Sequence, residues 1–289
     1  MGHDLFVAAL VGSAALALLW LLTRQALLRA ALARVLHQPA LLVPAAMSGA
    51  LGLVFALLGM PEAIAEQPIA TAAERLASLP TALIGFLAIT VALAGQIGLL
   101  EALDAGLPVD GHAFARGVRR HAATALLARS VAAALAWALW CAVGPTRGPL
   151  LVVWLVPQLF VASSVGIASA YPGRPFGAVL AQARFALAKL GGIGAPVIAQ
   201  ALFLFGLGLA RARFDALDVP LSGHALGWSS LGYNLFPQLR VGESVPAAVV
   251  ATLASALAST VFVTAHWLGV RHGYGAASFP AGRDGPVAG

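Results

Sequence analysis

Residues 81–103 read TALIGFLAITVALAGQIGLLEAL, an apolar run whose single charge, Glu101, sits near its C-terminal end. About 20 apolar residues in a helix cross the roughly 30 Å hydrocarbon core of a bilayer. Lipid offers no partner for a backbone amide, so a segment of this kind is expected to satisfy its own hydrogen bonds as a helix. The run does not alternate apolar with polar residues, as a barrel strand would.

Six further stretches share its character: 5–22, 39–59, 124–143, 149–170, 190–210 and 247–270. They are punctuated by Pro39, Pro61, Pro80, Pro145, Pro149, Pro172 and Pro246, residues that favour helix starts and turns. The composition agrees: of 289 residues 60% are hydrophobic and 10% charged, where a soluble domain carries about 25% charged. Mean hydropathy is +0.90. The expected fold is all-α, a polytopic transmembrane bundle of about seven spans. It forms a single domain over 1–272, followed by a Gly-, Ala- and Pro-rich disordered cytoplasmic tail at 273–289.

Basic residues set the orientation. Arg24, Arg29, Arg34, Arg116, Arg119, Arg120, Arg129, Arg174, Arg184, Lys189, Arg271 and Arg283 fall on one side, and Arg75, Arg147, Arg211, Arg213 and Arg240 on the other. The first side is therefore expected to be cytoplasmic, with the N-terminus outside and the C-terminus inside. Segment 5–22 has no Lys or Arg before it and Arg24 and Arg29 after it, which fits an uncleaved anchor; a half-inserted first helix would leave six spans. The net charge of +6 is dispersed over short loops, which argues against nucleic-acid binding. The lone Cys141 excludes intramolecular disulfides and Cys-based metal sites.

Three basic segments precede outward-going spans: RQALLRAALARVLHQ (24–38), DGHAFARGVRRHAA (110–123) and RPFGAVLAQARFALAK (174–189). Leu27, Leu28, Ala31, Leu32, Val35 and Leu36 form one face of the first, with Arg29, Arg34 and His37 largely opposite. Phe176, Val179, Leu180, Ala183, Leu187 and Leu190 do the same in the third. The expectation is three units, about 24–103, 110–170 and 174–270, each an amphipathic helix at the cytoplasmic headgroups followed by a hairpin. Arg29, Arg34, Arg116, Arg119, Arg120, Arg184 and Lys189 are the expected contacts to anionic lipid.

The stretches GLPVDGHAFARGVRRHAATALLARSV from Gly106 and YPGRPFGAVLAQARFALAKLGG from Tyr171 resemble the inner loops of a loose set of bacterial six- or seven-span proteins. That set is similar to the membrane domain beside some glycerophosphodiester phosphodiesterases. The resemblance covers most of the chain in layout and implies a bacterial inner-membrane location. The chain lacks a soluble phosphodiesterase domain, so that activity does not carry over.

Polar residues within spans are the candidates for chemistry. Gln96, Gln158 and Gln200 line a polar path or act as interhelical contacts. Glu101, Asp104 and Arg129 form a candidate ion cluster at the inner face, with snorkelling by each residue alone as the alternative. Pro44, Pro157 and Pro196 interrupt spans, and Thr252, Ser255, Ser259, Thr260 and Thr264 give the last span a small polar stripe. His266 is expected near the interface, and no second intramembrane His exists for haem. The outer loop 211–245 carries GHALGWSSLGYNLFPQL from Gly223, aromatic residues suited to a surface-lying helix. No HExxH, GxSxG or P-loop pattern occurs, and no metal or cofactor is expected. The favoured function is a non-enzymatic structural, lipid-associated or partner-binding membrane protein. A small transporter is the alternative, and a membrane-embedded enzyme the third reading.

Overall fold

The computed structural model describes residues 2–57, 72–143 and 245–269, with isolated positions at 176–177, 198–199 and 202–203. All elements among the described residues are helical: α1 (Gly2–Arg24), α2 (Ala26–His37), a 3-10 turn (Pro39–Leu42), α3 (Val43–Leu57), α4 (Ala72–Asp104), α5 (Gly111–Val143) and α6 (Val245–Leu268). The segments expected at 149–170, 190–210 and 211–245, the third unit's amphipathic helix and the tail 273–289 lie outside the described residues, the isolated positions apart.

The α4–α5 hairpin is the best-packed part. Gly106 stops α4 with φ +66, a left-handed conformation that glycine adopts without steric cost. The Leu107 amide donates to the Ala102 carbonyl at 2.8 Å and the Gly106 amide to Leu103 at 3.2 Å, the paired bonds of a Schellman motif. Four residues on, Asp110 caps α5: its Oδ1 accepts from the Ala113 amide at 2.9 Å. The two helices then run back antiparallel and nearly touch. A Cβ on Gly117 would lie 2.6 Å from the Gly98 Cα, and one on Gly98 would lie 2.6 Å from the Ala113 carbonyl oxygen. Each helix contributes a small-x-x-x-small pair, Ala94 with Gly98 and Ala113 with Gly117, which permits close backbone approach.

Two expected boundaries move. Helix α4 begins at Ala72 and runs through Pro80, although the lost amide there deprives one carbonyl of its partner. The basic segment 110–123 and the span 124–143 are one unbroken 33-residue helix, because no Pro or Gly pair interrupts the chain between Gly117 and Val143. In the first unit the break is real: Pro39 holds Gln38 out of the helical region, at φ −131 and ψ 76. Helices α1 and α2 meet at 90°. Pro44 falls in the first turn of α3, where an amide has no intrahelical partner anyway, so it interrupts nothing.

Helix α2 also differs from expectation in what it covers. Leu28, Ala31 and Val35 are fully buried in a core shared with α6 residues Phe262, Val263, Ala265 and Trp267. Its apolar stripe therefore packs on protein, while Leu36 points outward at 66% exposure. One described segment, Leu83–Asp104, is by itself long and apolar enough to cross a membrane, with hydropathy 2.2. Ala15–Arg24 and Ala26–His37 pass that test only together, across their bend.

Candidate functional site

Three helix ends converge where α2, α4 and α6 stop, and charged residues gather there. Arg34, in the last turn of α2, donates from Nη1 to Asp104 Oδ1 at 2.7 Å, joining α2 to the end of α4. The Arg34 guanidinium carbon also lies 5.8 Å from the ring centre of Trp267 in α6, a cation–π distance. Trp267 and its neighbour His266 are fully buried. His266, expected near the interface, is enclosed by protein at the α6 end.

A second pair closes the hairpin. Glu101 Oε2 and His121 Nε2 are 3.0 Å apart, and His121 is fully buried. Arg120 stands 3.9 Å from the same carboxylate but is half exposed; such a pair contributes about 0–1 kcal/mol. At the turn, the Ala113 amide on its carboxylate holds Asp110 below the usual aspartate range.

The expected trio of Glu101, Asp104 and Arg129 is not brought together. Because α5 starts at Gly111, Arg129 lies about 27 Å along it, and Thr90, which it meets, is about 16 Å up α4 from Glu101. There Arg129 Nη1 donates to the Phe86 carbonyl and to Thr90 Oγ1, both at 2.8 Å. Its guanidinium carbon sits 4.4 Å from the Phe86 ring centre. The side chain is 3% exposed, so Arg129 ties α5 to α4 from inside the pair. Glu101 and Asp104 find their cations instead in Arg120, Arg34 and, when protonated, His121.

Gln96 is buried in α4, and its Nε2 has no hydrogen-bond partner among the described residues. Gln158 and Gln200, expected beside it, lie outside the described residues, as do Pro157, Pro196, Arg184 and Lys189. Arg29, Arg116, Arg119 and Arg120 are exposed, on α2 and the first turns of α5. Among the described residues no group of three or more His, Cys, Asp or Glu is placed to hold a metal ion.

Sequence reading passed over His121, Trp267 and the glycine contact. The Ala-x-x-x-Gly spacing at 94–98 and 113–117 was the available signal for the contact. A His within reach of Glu101 requires the hairpin register, which the sequence does not display.

No protein-family model, curated protein or solved structure matches this chain.

Proposed function

We propose that the chain is a polytopic helical protein of a bacterial inner membrane, crossing about seven times, with its N-terminus outside and C-terminus in the cytoplasm. It acts without enzymatic chemistry, as a lipid-associated scaffold or partner-binding subunit. The observation that carries this reading is the outward apolar surface. Leu16, Leu19 and Trp20 on α1, Val43, Met47 and Val54 on α3, Leu83, Ile84, Leu87 and Val91 on α4, and Leu253 and Leu257 on α6 are all substantially exposed. Exposed large apolar side chains in this number are unfavourable in water and favourable in lipid. Arg29, Arg116, Arg119 and Arg120 are exposed as well, where headgroup phosphates would meet them.

Alkaline carbonate washing of membranes tests insertion. The chain is expected to stay in the pellet; release to the supernatant would overturn the proposal. A transport reading has one observation of its own, the amide of buried Gln96, which has no partner among the described residues. An unsatisfied amide of this kind costs about 1–3 kcal/mol, and a hydrated path would satisfy it. Gln96→Leu separates the two: a scaffold keeps or gains thermal stability, whereas a transporter loses solute uptake in proteoliposomes.

A further inference from the structure

We infer that the cleft between the C-terminal ends of α2 and α4 binds the neighbouring hydroxyls of a neutral sugar, carried by a glycolipid headgroup or a free glycoside. The inference rests on the membrane reading above, which puts this cleft at headgroup level, and narrows lipid in general to an uncharged, hydroxyl-rich group. The cleft is open, about 380 Å³ in volume, and lined by Arg34, His37, Gln38, Leu103 and Asp104. Ligand pockets run from about 300 to 1,000 Å³, so a single ring suits it better than a longer chain.

Full charges cancel within the cleft. Arg34 Nη1 donates to Asp104 Oδ1 at 2.7 Å, so the guanidinium and the carboxylate answer each other. A phosphate placed here meets that carboxylate and the negative end of α2. An ammonium meets the guanidinium. Either charged headgroup is opposed by a fixed charge of its own sign, and a neutral ligand is opposed by none.

What the cleft offers a ligand is uncharged hydrogen bonding of both kinds. A guanidinium has five N–H donors; the bond to Asp104 uses one, and the Arg34 side chain is 32% exposed. Half-buried Gln38 brings an amide, donor and acceptor at once. His37 Nδ1 lies 2.7 Å from the Ala33 carbonyl and carries the proton there, which makes Nε2 of the neutral ring an acceptor. The helix end adds further acceptors. The Gln38 amide goes to Arg34 at 2.9 Å and the Leu41 amide to Gln38 at 3.1 Å, so among the described residues no backbone amide reaches the Leu36 and His37 carbonyls. Carbonyls of a last turn point beyond the helix, here toward the cleft. A hydroxyl both donates and accepts. Adjacent hydroxyls on one ring therefore present oxygens to Arg34 and Gln38, and protons to His37 Nε2 and the helix end. Leu36, outward beside His37, and Leu103 in the wall offer an apolar course for an acyl chain.

The test loads the full chain into nanodiscs of equal monoglucosyl diacylglycerol, phosphatidylethanolamine and phosphatidylglycerol, extracts it gently, and counts retained lipids by native mass spectrometry. The glycolipid is expected to be enriched about fivefold over both others, the scale of one net hydrogen bond. Phosphatidylethanolamine has charges without hydroxyls, and phosphatidylglycerol has hydroxyls joined to a charge, so the pair separates the two requirements. A second arm adds methyl glucoside to nanodiscs that hold the phospholipids alone. Glycolipid enrichment assigns the cleft to a lipid headgroup. Saturable glucoside binding without that enrichment assigns it to a free sugar. Neither result overturns the inference while the membrane reading stands, and failure of the chain to enter nanodiscs overturns both. His37 is exposed and bonds only within its own helix, so the double variant His37→Ala, Gln38→Leu is expected to keep the wild-type thermal midpoint and lose the sugar binding. Undiminished binding by that variant would place the sugar elsewhere and overturn the assignment to this cleft.

Discussion

Single residues in this chain are sensitive according to what lies across from them. Gly98 and Gly12 both sit in helices, where alanine is ordinarily favoured over glycine by about 1 kcal/mol. Nothing lies within 4 Å of a Cβ built on Gly12, whereas one on Gly98 meets the backbone of α5. Gly12→Ala is therefore expected to be neutral or stabilising. Gly98→Ala should destabilise by about 1–3 kcal/mol through overpacking. The opposite signs are read from unfolding midpoints in mixed micelles. Asp110 gives a pH prediction at the same scale. Its carboxyl is held low by the Ala113 amide, so the ionised form is favoured in the folded state. The capping contribution is complete above the unfolded value of about 3.9 and is lost as pH falls through the lower folded value. The gap in thermal midpoint between the wild type and Asp110→Ala should thus be constant near neutrality and shrink on acidification below about pH 4. A gap that stays constant down to pH 2 would remove the carboxylate from the cap.

At the level of elements, the question is whether α5 is one helix or two. Were the amphipathic segment and the span separate, a proline at their junction would be harmless. In a continuous helix it costs about 3 kcal/mol or more. Ala123 is exposed on α5, so its replacement tests the backbone alone. Ala123→Pro is expected to lower the unfolding midpoint far more than Ala123→Gly, which costs about 1 kcal/mol; equal effects would restore the two-element arrangement. Continuity also explains why Arg129 meets Phe86 and Thr90 instead of Glu101. Its planar donors and stacking are not reproduced by an ammonium. Arg129→Lys is therefore expected to lose much of the roughly 1.5–3 kcal/mol typical of charged hydrogen bonds, measured as a lower midpoint against Arg129→Met. The described helices were legible from sequence because apolar runs and proline punctuation are local. The described parts of segments 5–22, 39–59, 81–103 and 247–270 each fall on a helix. What α2 packs on was not legible. Leu28, Ala31 and Val35 suit lipid and protein equally, and only the arrival of α6 decides between them. The pairing of Glu101 with His121 was hidden for the same reason, since 20 residues and a turn separate them.

For the whole molecule, the hairpin turn at 105–110 fixes which way the described bundle faces. Helices α4 and α5 each run 33 residues, about 50 Å and well beyond the roughly 30 Å of hydrocarbon. In the proposed membrane reading both would project past one interface or both, and the charges would decide where the bilayer begins. Glu101, Asp104, Arg116, Arg119 and Arg120 cluster within a few turns of the turn, together with Arg29 and Arg34 on α2. In the proposed membrane reading, a surface so rich in arginine is expected on the cytoplasmic side, where anionic lipid would attract it. On α5, Arg129 lies about 12 Å beyond that belt, eight residues past His121, a position the proposed reading puts within lipid. At such a depth an arginine must face protein, and it does, with Phe86 and Thr90 as acceptors. Leu107 lies at the tip of the turn and is exposed. With Cys141 replaced by serine, Leu107→Cys in spheroplasts is expected to resist a membrane-impermeant maleimide until the membrane is permeabilised. Labelling of intact spheroplasts would place the arginine belt outside, and the orientation of every span assigned from the charge bias would then invert with it.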